Sequence, residues 1–283
     1  MKKVTQLSSM TAGSVIGKLL TPSLALAAAA VLLPTSGAMA TQVDLTVDSS
    51  GTIGDVNFVR ADTLPAGTGV FKPFLTLQNS PIEQGYNTSG ADVLDTKRVP
   101  QWNHDLTKGD LAVVDGYYVF ELDANETGTG SINRLLSVDN IRIYTSPIGA
   151  QTDPNPDNLG KLRYSLNDPI KDASGNYIID NWVKLDASRF EFGSTSGSGS
   201  SDMLVYIPAK YLDAAANSDY VYFYNLNGVH YTADPGTSSD AGFEEWRAFT
   251  SSVPDGGNTL ALLGSAVTAL GFVASRRKMA KQA

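Results

Sequence analysis

Cysteine is absent from the 283 residues, which removes disulfide staples, thiolate zinc sites and thiol nucleophiles. Histidine occurs only at His104 and His230, so multi-histidine metal centres are excluded as well. The interior also lacks any long amphipathic helical period, and extended apolar runs are confined to the two ends. Hydrophobic content (42%) and charge (18%) are ordinary, which argues against wholesale disorder and against a polytopic membrane protein.

Basic charge is scarce in the interior. Residues 1–40 hold Lys2, Lys3 and Lys18 and no acid, while residues 253–283 hold Arg276, Arg277, Lys278 and Lys281 against Asp255. Of the 21 basic and 29 acidic residues, 14 and 28 therefore fall in residues 41–252, a net charge of −14. Such a field repels nucleic acid and anionic lipid, and it favours solubility and divalent cations. No nucleic-acid partner is expected.

Residues 1–40 have the form of a secretory signal peptide. Lys2-Lys3 and a polar stretch lead to Leu19-Leu20 and Leu24–Leu33; Pro34 then breaks the helix, and Ala38-Met39-Ala40 supplies the small-x-small pattern that signal peptidase accepts. The mature chain is expected to begin at Thr41, with an uncleaved amino-terminal anchor as the alternative. Near the other end, Leu260–Ala274 forms an apolar helix candidate, carried to residue 275 and followed by Arg276-Arg277-Lys278. At about 1.5 Å per residue the apolar core spans about 22 Å, short of the roughly 30 Å of bilayer hydrocarbon. That length suits transient insertion in the inner membrane better than permanent anchoring. The basic triplet acts as a stop held in the cytoplasm, which places everything upstream outside.

Before this helix stands Val253-Pro254-Asp255-Gly256-Gly257-Asn258-Thr259, kept extended and accessible by proline and paired glycine. The order of short motif (253–259), transmembrane helix (260–275) and basic tail (276–283) resembles the PEP-CTERM class of bacterial sorting signals in its VPDGG variant, with Val-Pro-Asp standing where the core Pro-Glu-Pro would be. The resemblance implies recognition by an exosortase, a membrane-embedded cysteine protease or transpeptidase. It would cut near Pro254–Gly257 and release or relocate the protein in the envelope of a Gram-negative bacterium that makes extracellular polysaccharide. The phrases Glu83-Gln84-Gly85-Tyr86-Asn87-Thr88, Leu122-Asp123-Ala124-Asn125-Glu126, Ser137-Val138-Asp139-Asn140-Ile141 and Gly242-Phe243-Glu244-Glu245-Trp246 resemble an ectodomain of other PEP-CTERM proteins, which carries no activity to transfer.

Residues 41–252 alternate short runs of Val, Ile, Tyr and Phe with Gly, Asn, Asp and Pro, as strands and turns do. Two hairpins are expected, 111–114 with 117–122 through Asp115-Gly116, and 220–224 with 229–232 through Asn227-Gly228. Further strands are expected at 43–47, 53–59, 70–77, 141–145, 161–166, 182–186, 203–208 and 243–249, with short helical pieces near 209–215 and 132–136. The fold class is all-β, a single antiparallel β-sandwich (jelly-roll or Ig-like) flanked by the signal peptide and the carboxy-terminal helix. Gly193–Ser201 and Asp153–Asn158 read as surface loops, or as separators of subdomains.

Enzyme signatures are weak. Gly193-Ser194-Thr195-Ser196-Gly197 puts Thr195 where a serine nucleophile belongs, and a triad would need His104 or His230 as base. Glu244-Glu245 beside Trp246 suggests a glycosidase pair, but neighbours on a strand face opposite ways. Asp153-x-Asn155-x-Asp157 begins like a calcium loop and then fails, with Asn158 at the turn glycine and Tyr164 at the final glutamate. A noncontiguous structural Ca²⁺ site built from Asp123, Asn125, Glu126 and Asp139 is the candidate kept, against ordinary solvated turns. Tyr220, Tyr222 and Tyr224 share one strand face, with Val221 and Phe223 on the core side. Exposed, the tyrosines would stack on sugars; the alternative is that they pack with their hydroxyls at a rim. The expected protein is non-enzymatic, an exported envelope or matrix component of structural or adhesive role, with a carbohydrate-binding module as alternative and a polysaccharide hydrolase behind it. Expected partners are signal peptidase, exosortase and exopolysaccharide.

Overall fold

Alternating residues on a strand face opposite ways, so each β-rich run of the interior can bury one row and present the other. The computed structural model describes residues 40–61, 71–126, 134–167, 179–187, 201–240 and 242–251. The signal peptide apart from Ala40, the motif Val253–Gly257, the 260–275 helix, Arg276, Arg277, Lys278 and Thr195 lie outside the described residues. Among the described residues no helix is long and apolar enough to cross a membrane.

Strand is the main regular structure of the described residues and forms two sheets. Their strands are β1 (Gln42–Asp44), β2 (Ser50–Ile53), β3 (Val56–Arg60), β4 (Leu75–Leu77), β5 (Glu83–Tyr86), β6 (Leu106–Thr107), β7 (Val113–Val114), β8 (Tyr117–Ala124), β9 (Leu135–Ser146), β10 (Lys161–Ser165), β11 (Trp182–Asp186), β12 (Met203–Pro208), β13 (Tyr220–Asn227) and β14 (Glu244–Ala248). The first sheet runs β1-β11-β9-β13-β5, with β10 added to β9 and β6 to β13; the second runs β2-β3-β12-β8-β14-β4, with β7 on β8. Pairing is antiparallel with one correction to expectation: β1 joins β11 in parallel, Gln42 opposite Trp182.

One apolar cluster draws on both sheets. Phe223 of β13 meets Phe120 of β8 at 4.8 Å, Trp246 of β14 at 4.7 Å and Phe74 at 5.7 Å between ring centroids. The indole Nε1 of Trp246 donates to Asn225 Oδ1 across the gap at 2.9 Å, so the buried tryptophan keeps its polar atom satisfied. Each such fully buried large side chain contributes roughly 1.5–3 kcal/mol. On β9 the inward row would run Leu136, Val138, Asn140, yet Ile141 and Ile143 are also buried in this core. The register shift opposite Leu226/Asn227, where Asn140 and then Val138 find partners and Asp139 is passed over, is a bulge that exchanges the two rows.

The Asp115-Gly116 hairpin forms as expected between β7 and β8, both turn residues having positive φ, 50° and 86°. The Asn227-Gly228 hairpin does not. After Gly228 (φ 84°) the chain makes a 3-10 turn over Val229–Thr232 instead of a returning strand. Bulged β9 captures its donors: Val229 N–H donates to Asp139 Oδ2 at 2.6 Å and Gly228 N–H to the Ser137 carbonyl at 2.9 Å. A 3-10 turn does form at Ala209–Leu212, whereas Leu135-Leu136, expected as helical, open β9.

Candidate functional site

The outward row of the second sheet builds an open groove. On β12, Met203, Val205 and Ile207 are buried while Leu204, Tyr206 and Pro208 are half-exposed. Register then fixes the neighbours of Tyr206: Asn57 of β3 on one side, Val119 of β8 on the other, with Thr52 of β2 beyond Asn57. One row along, Tyr117 stands opposite Pro208. The rings of Tyr117 and Tyr206 lie 6.0 Å apart and nearly perpendicular, at 87°. They line a groove of about 430 Å³ with Ser50, Thr52, Asn57 and Asp115, the last carried by the Asp115-Gly116 turn. Aromatic surface beside hydroxyl, amide and carboxylate groups is what a sugar chain offers partners for, since its rings have apolar faces and polar rims. Tyr117 and Tyr206 are not among the site residues that the sequence pattern marks. Their signal is the alternation of Tyr206 with inward Val205 and Ile207, and the place of Tyr117 at the start of a hairpin strand.

The tyrosines that were singled out are elsewhere. Tyr220, Tyr222 and Tyr224 do sit on the face opposite Val221 and Phe223, but exposure of the ladder is corrected: Tyr222 is 0% and Tyr224 4% exposed, and Tyr220 is only half-exposed. With Tyr86, Val93, Tyr144 and Leu159 they form a second apolar cluster beneath the segment between β9 and β10. The hydroxyls of Tyr222 and Tyr86 donate to the carbonyls of Ile148 and Asp153 in that segment, each at 2.8 Å. Tyr144 hydroxyl donates to Asp157 Oδ1 at 3.2 Å, and the same oxygen takes Arg142 Nη1 at 3.0 Å. Asp153, Asn155 and Asp157 thus hold down a cover, with Asn155 accepting from Asp157 N–H at 3.1 Å.

The four residues considered for calcium are not brought together. Asp123 is on the outward row of β8 opposite Glu245, Asn125 donates to the Phe243 carbonyl at 2.8 Å, Glu126 meets Glu244, and Asp139 is engaged by His230. Among the described residues no group of three or more His, Cys, Asp or Glu is already arranged to hold a metal ion. Glu244 and Glu245 do face opposite ways, Glu244 on the row of Trp246 toward the other sheet.

His230 lies in the 3-10 turn rather than in a strand. Its Nδ1 meets Asp139 Oδ1, its Nε2 lies 3.2 Å from Asp180 Oδ2, and its ring stacks on Trp182 at 4.2 Å and 9°. Burial disfavours the imidazolium, but the two carboxylates outweigh it and the pKa is raised. On Asp139 the balance falls the other way, burial holding the carboxyl above its usual range despite His230. Both ring nitrogens are engaged by carboxylates, and Ser137 Oγ donates to Asp139 Oδ2 at 3.0 Å rather than to the ring. This arrangement locks a turn onto β9; it is not a serine–histidine pair. His104 has Nδ1 3.0 Å from the Asp105 carbonyl. The chain matches no protein-family model, no curated protein and no solved structure.

Proposed function

We propose that the two sheets are the leaves of one β-sandwich of the jelly-roll or Ig-like kind, and that the chain is an exported, non-enzymatic component of the cell envelope or extracellular matrix, adhering to polysaccharide through the groove of Tyr117 and Tyr206. The groove carries the reading. Its two half-exposed aromatic rings stand among small polar side chains on an outward sheet face, while the interior charge of −14 keeps the protein away from nucleic acid and anionic lipid. Export rests on the amino-terminal signal peptide and the VPDGG-type tail. Signal peptidase acts after Ala40, exosortase within Val253–Gly257, and the protein passes from transient insertion in the inner membrane to the cell surface or matrix of a Gram-negative bacterium.

Two measurements test this reading. In pull-down on the host's exopolysaccharide and on a glycan array, the wild type is retained, and Tyr206→Ala or Tyr117→Ala weakens binding about tenfold, which is 1.4 kcal/mol. Equal retention of wild type and both variants, or none at all, sinks the glycan reading. Fractionation of the native host with intact mass gives the mature termini; a full-length chain in the cytosol sinks the export reading.

A further inference from the structure

At one end of the gap between the sheets, three glutamates converge from distant parts of the chain. Glu83 opens β5 opposite Asn227 of the first sheet, and Glu244 opens β14 of the second opposite Ala124. Glu126 follows the end of β8. The segment leading into β14 runs hard against that end, because a Cβ on Gly242 would collide with the carbonyl of Asn125. The Glu244 carboxyl consequently touches both Glu83 and Glu126.

All three are buried, Glu83 and Glu244 at 0% exposure and Glu126 at 6%. Asn227 Nδ2 donates to Glu83 Oε1 at 2.6 Å and Asp240 N–H to Glu126 Oε2 at 3.0 Å, and Ser239 and the backbone at Asn79 also reach the Glu83 carboxyl. Apart from the contacts of the three carboxyls with one another, Glu83 Oε2, Glu126 Oε1, both oxygens of Glu244 and Asn227 Oδ1 have no hydrogen-bond partner. No lysine or arginine of the described residues forms an ion pair with the three. Burial raises all three carboxyls, Glu126 to about 8 and Glu244 well above the usual range, and Asp240 adds its own negative charge beside Glu126. Carboxyls in contact with one another need a shared proton or a cation between them, because each buried acceptor left unpaired costs about 1–3 kcal/mol, more when charged.

We propose that Glu83, Glu126 and Glu244, with Asn227 at their side, form a site for a hard divalent cation of the calcium kind that ties the two sheets together at this end. The donors are all oxygen, carboxylate and amide, which suits Ca²⁺ with its 6–8 ligands and flexible geometry, and does not suit metals that select nitrogen or sulfur. In the present arrangement Glu244 touches both neighbours while Glu83 and Glu126 act on each other only through space, so binding gathers the carboxylates by turning side chains. The site is separate from the groove, which lies on the outward face, and the two readings fail independently.

The full chain, stripped with EDTA, is titrated with CaCl₂ and in parallel with MgCl₂ near pH 7 by calorimetry and thermal melting. One Ca²⁺ binds, and Tm rises by about 5–10 °C at a hundredfold excess over Kd. Glu244→Gln, which places an amide donor between two carboxyls, abolishes both responses. No heat and no shift in the wild type overturns the proposal; stability that instead falls as pH rises through 8, with or without Ca²⁺, shows shared protons holding the cluster. An equal response to Mg²⁺ overturns the calcium assignment. Should Glu244→Gln not fold, the wild-type calorimetry decides alone.

Discussion

Both sheets carry tyrosines on the face turned away from their common core, and the two faces end in opposite states. On the first sheet, Tyr222 and Tyr224 sit at 0% and 4% exposure under the segment that joins β9 to β10. On the second, Tyr117 and Tyr206 stay half-exposed beside an open groove. Strand alternation is the same in both cases. The difference lies in what the chain lays over the sheet: a cover pinned by tyrosine hydroxyls, by Arg142 and by Asp157 in one case, and a two-residue hairpin turn at the margin in the other. A tyrosine row is therefore a stabilising core or an open surface according to its loop, with the same residue type serving in either place.

Truncation gives the widest separation between the faces. Tyr222→Ala removes a fully buried ring and its hydroxyl bond, and should cost about 3–5 kcal/mol in urea unfolding, in line with large aromatic truncations in cores. Tyr206→Ala, on a half-exposed ring, should cost less than about 1 kcal/mol while weakening glycan binding. Equal losses at the two positions would break the comparison.

A smaller effect comes from lifting the cover without touching a tyrosine. Gly90 lies beneath Ala150, and a Cβ there would stand 2.5 Å from the Ala150 carbonyl oxygen, a backbone atom that cannot turn aside. Gly90→Ala should destabilise by about 1–3 kcal/mol through overpacking, and should speed hydrogen exchange in residues 148–159 more than in β12. Uniform exchange in the two regions would show that the cover is not a separable unit.

Much of this was legible in the sequence. Alternation placed Val221 and Phe223 inward and the tyrosines outward, set Glu244 and Glu245 on opposite faces, and Asp-Gly marked a hairpin that forms. What escaped has physical causes. Periodicity gives a side chain's direction and not what lies above it, so the covered ladder read as a candidate surface. The bulge that passes over Asp139 exchanges the rows of β9 and captures Val229, turning an expected strand into a 3-10 turn. Glu83 and Glu244 meet only because two sheets close on each other, a long-range fact; the local hint was that each shares an inward row with Gly85 or Trp246, where an acid is out of place. The groove is not legible because Tyr117 and Tyr206 are far apart in the sequence and come together only through the pairing of β8 with β12.

The gentlest probe of the two faces is alkali. Burial, with Asp105 adding a smaller repulsion, raises the Tyr222 hydroxyl to about 12 against 10.0 for a free phenol. The neutral form is the one that donates to Ile148, so the sign is fixed. The folded-state pKa exceeds the unfolded one, the stabilisation is complete below pH 10, and it drains away as pH climbs from 10 toward 12. At 1.36 kcal/mol per unit the full shift would be about 2.7 kcal/mol, and with a single loop between the hydroxyl and solvent about 1 kcal/mol is the reasonable expectation. Tyrosinate absorbance followed together with urea stability across this range should show wild-type stability falling, and Tyr222→Phe should make that fall shallower by its own share, the other tyrosines of raised pKa keeping theirs. If Tyr206→Phe lessens the fall as much as Tyr222→Phe does, the alkaline loss does not belong to the covered face.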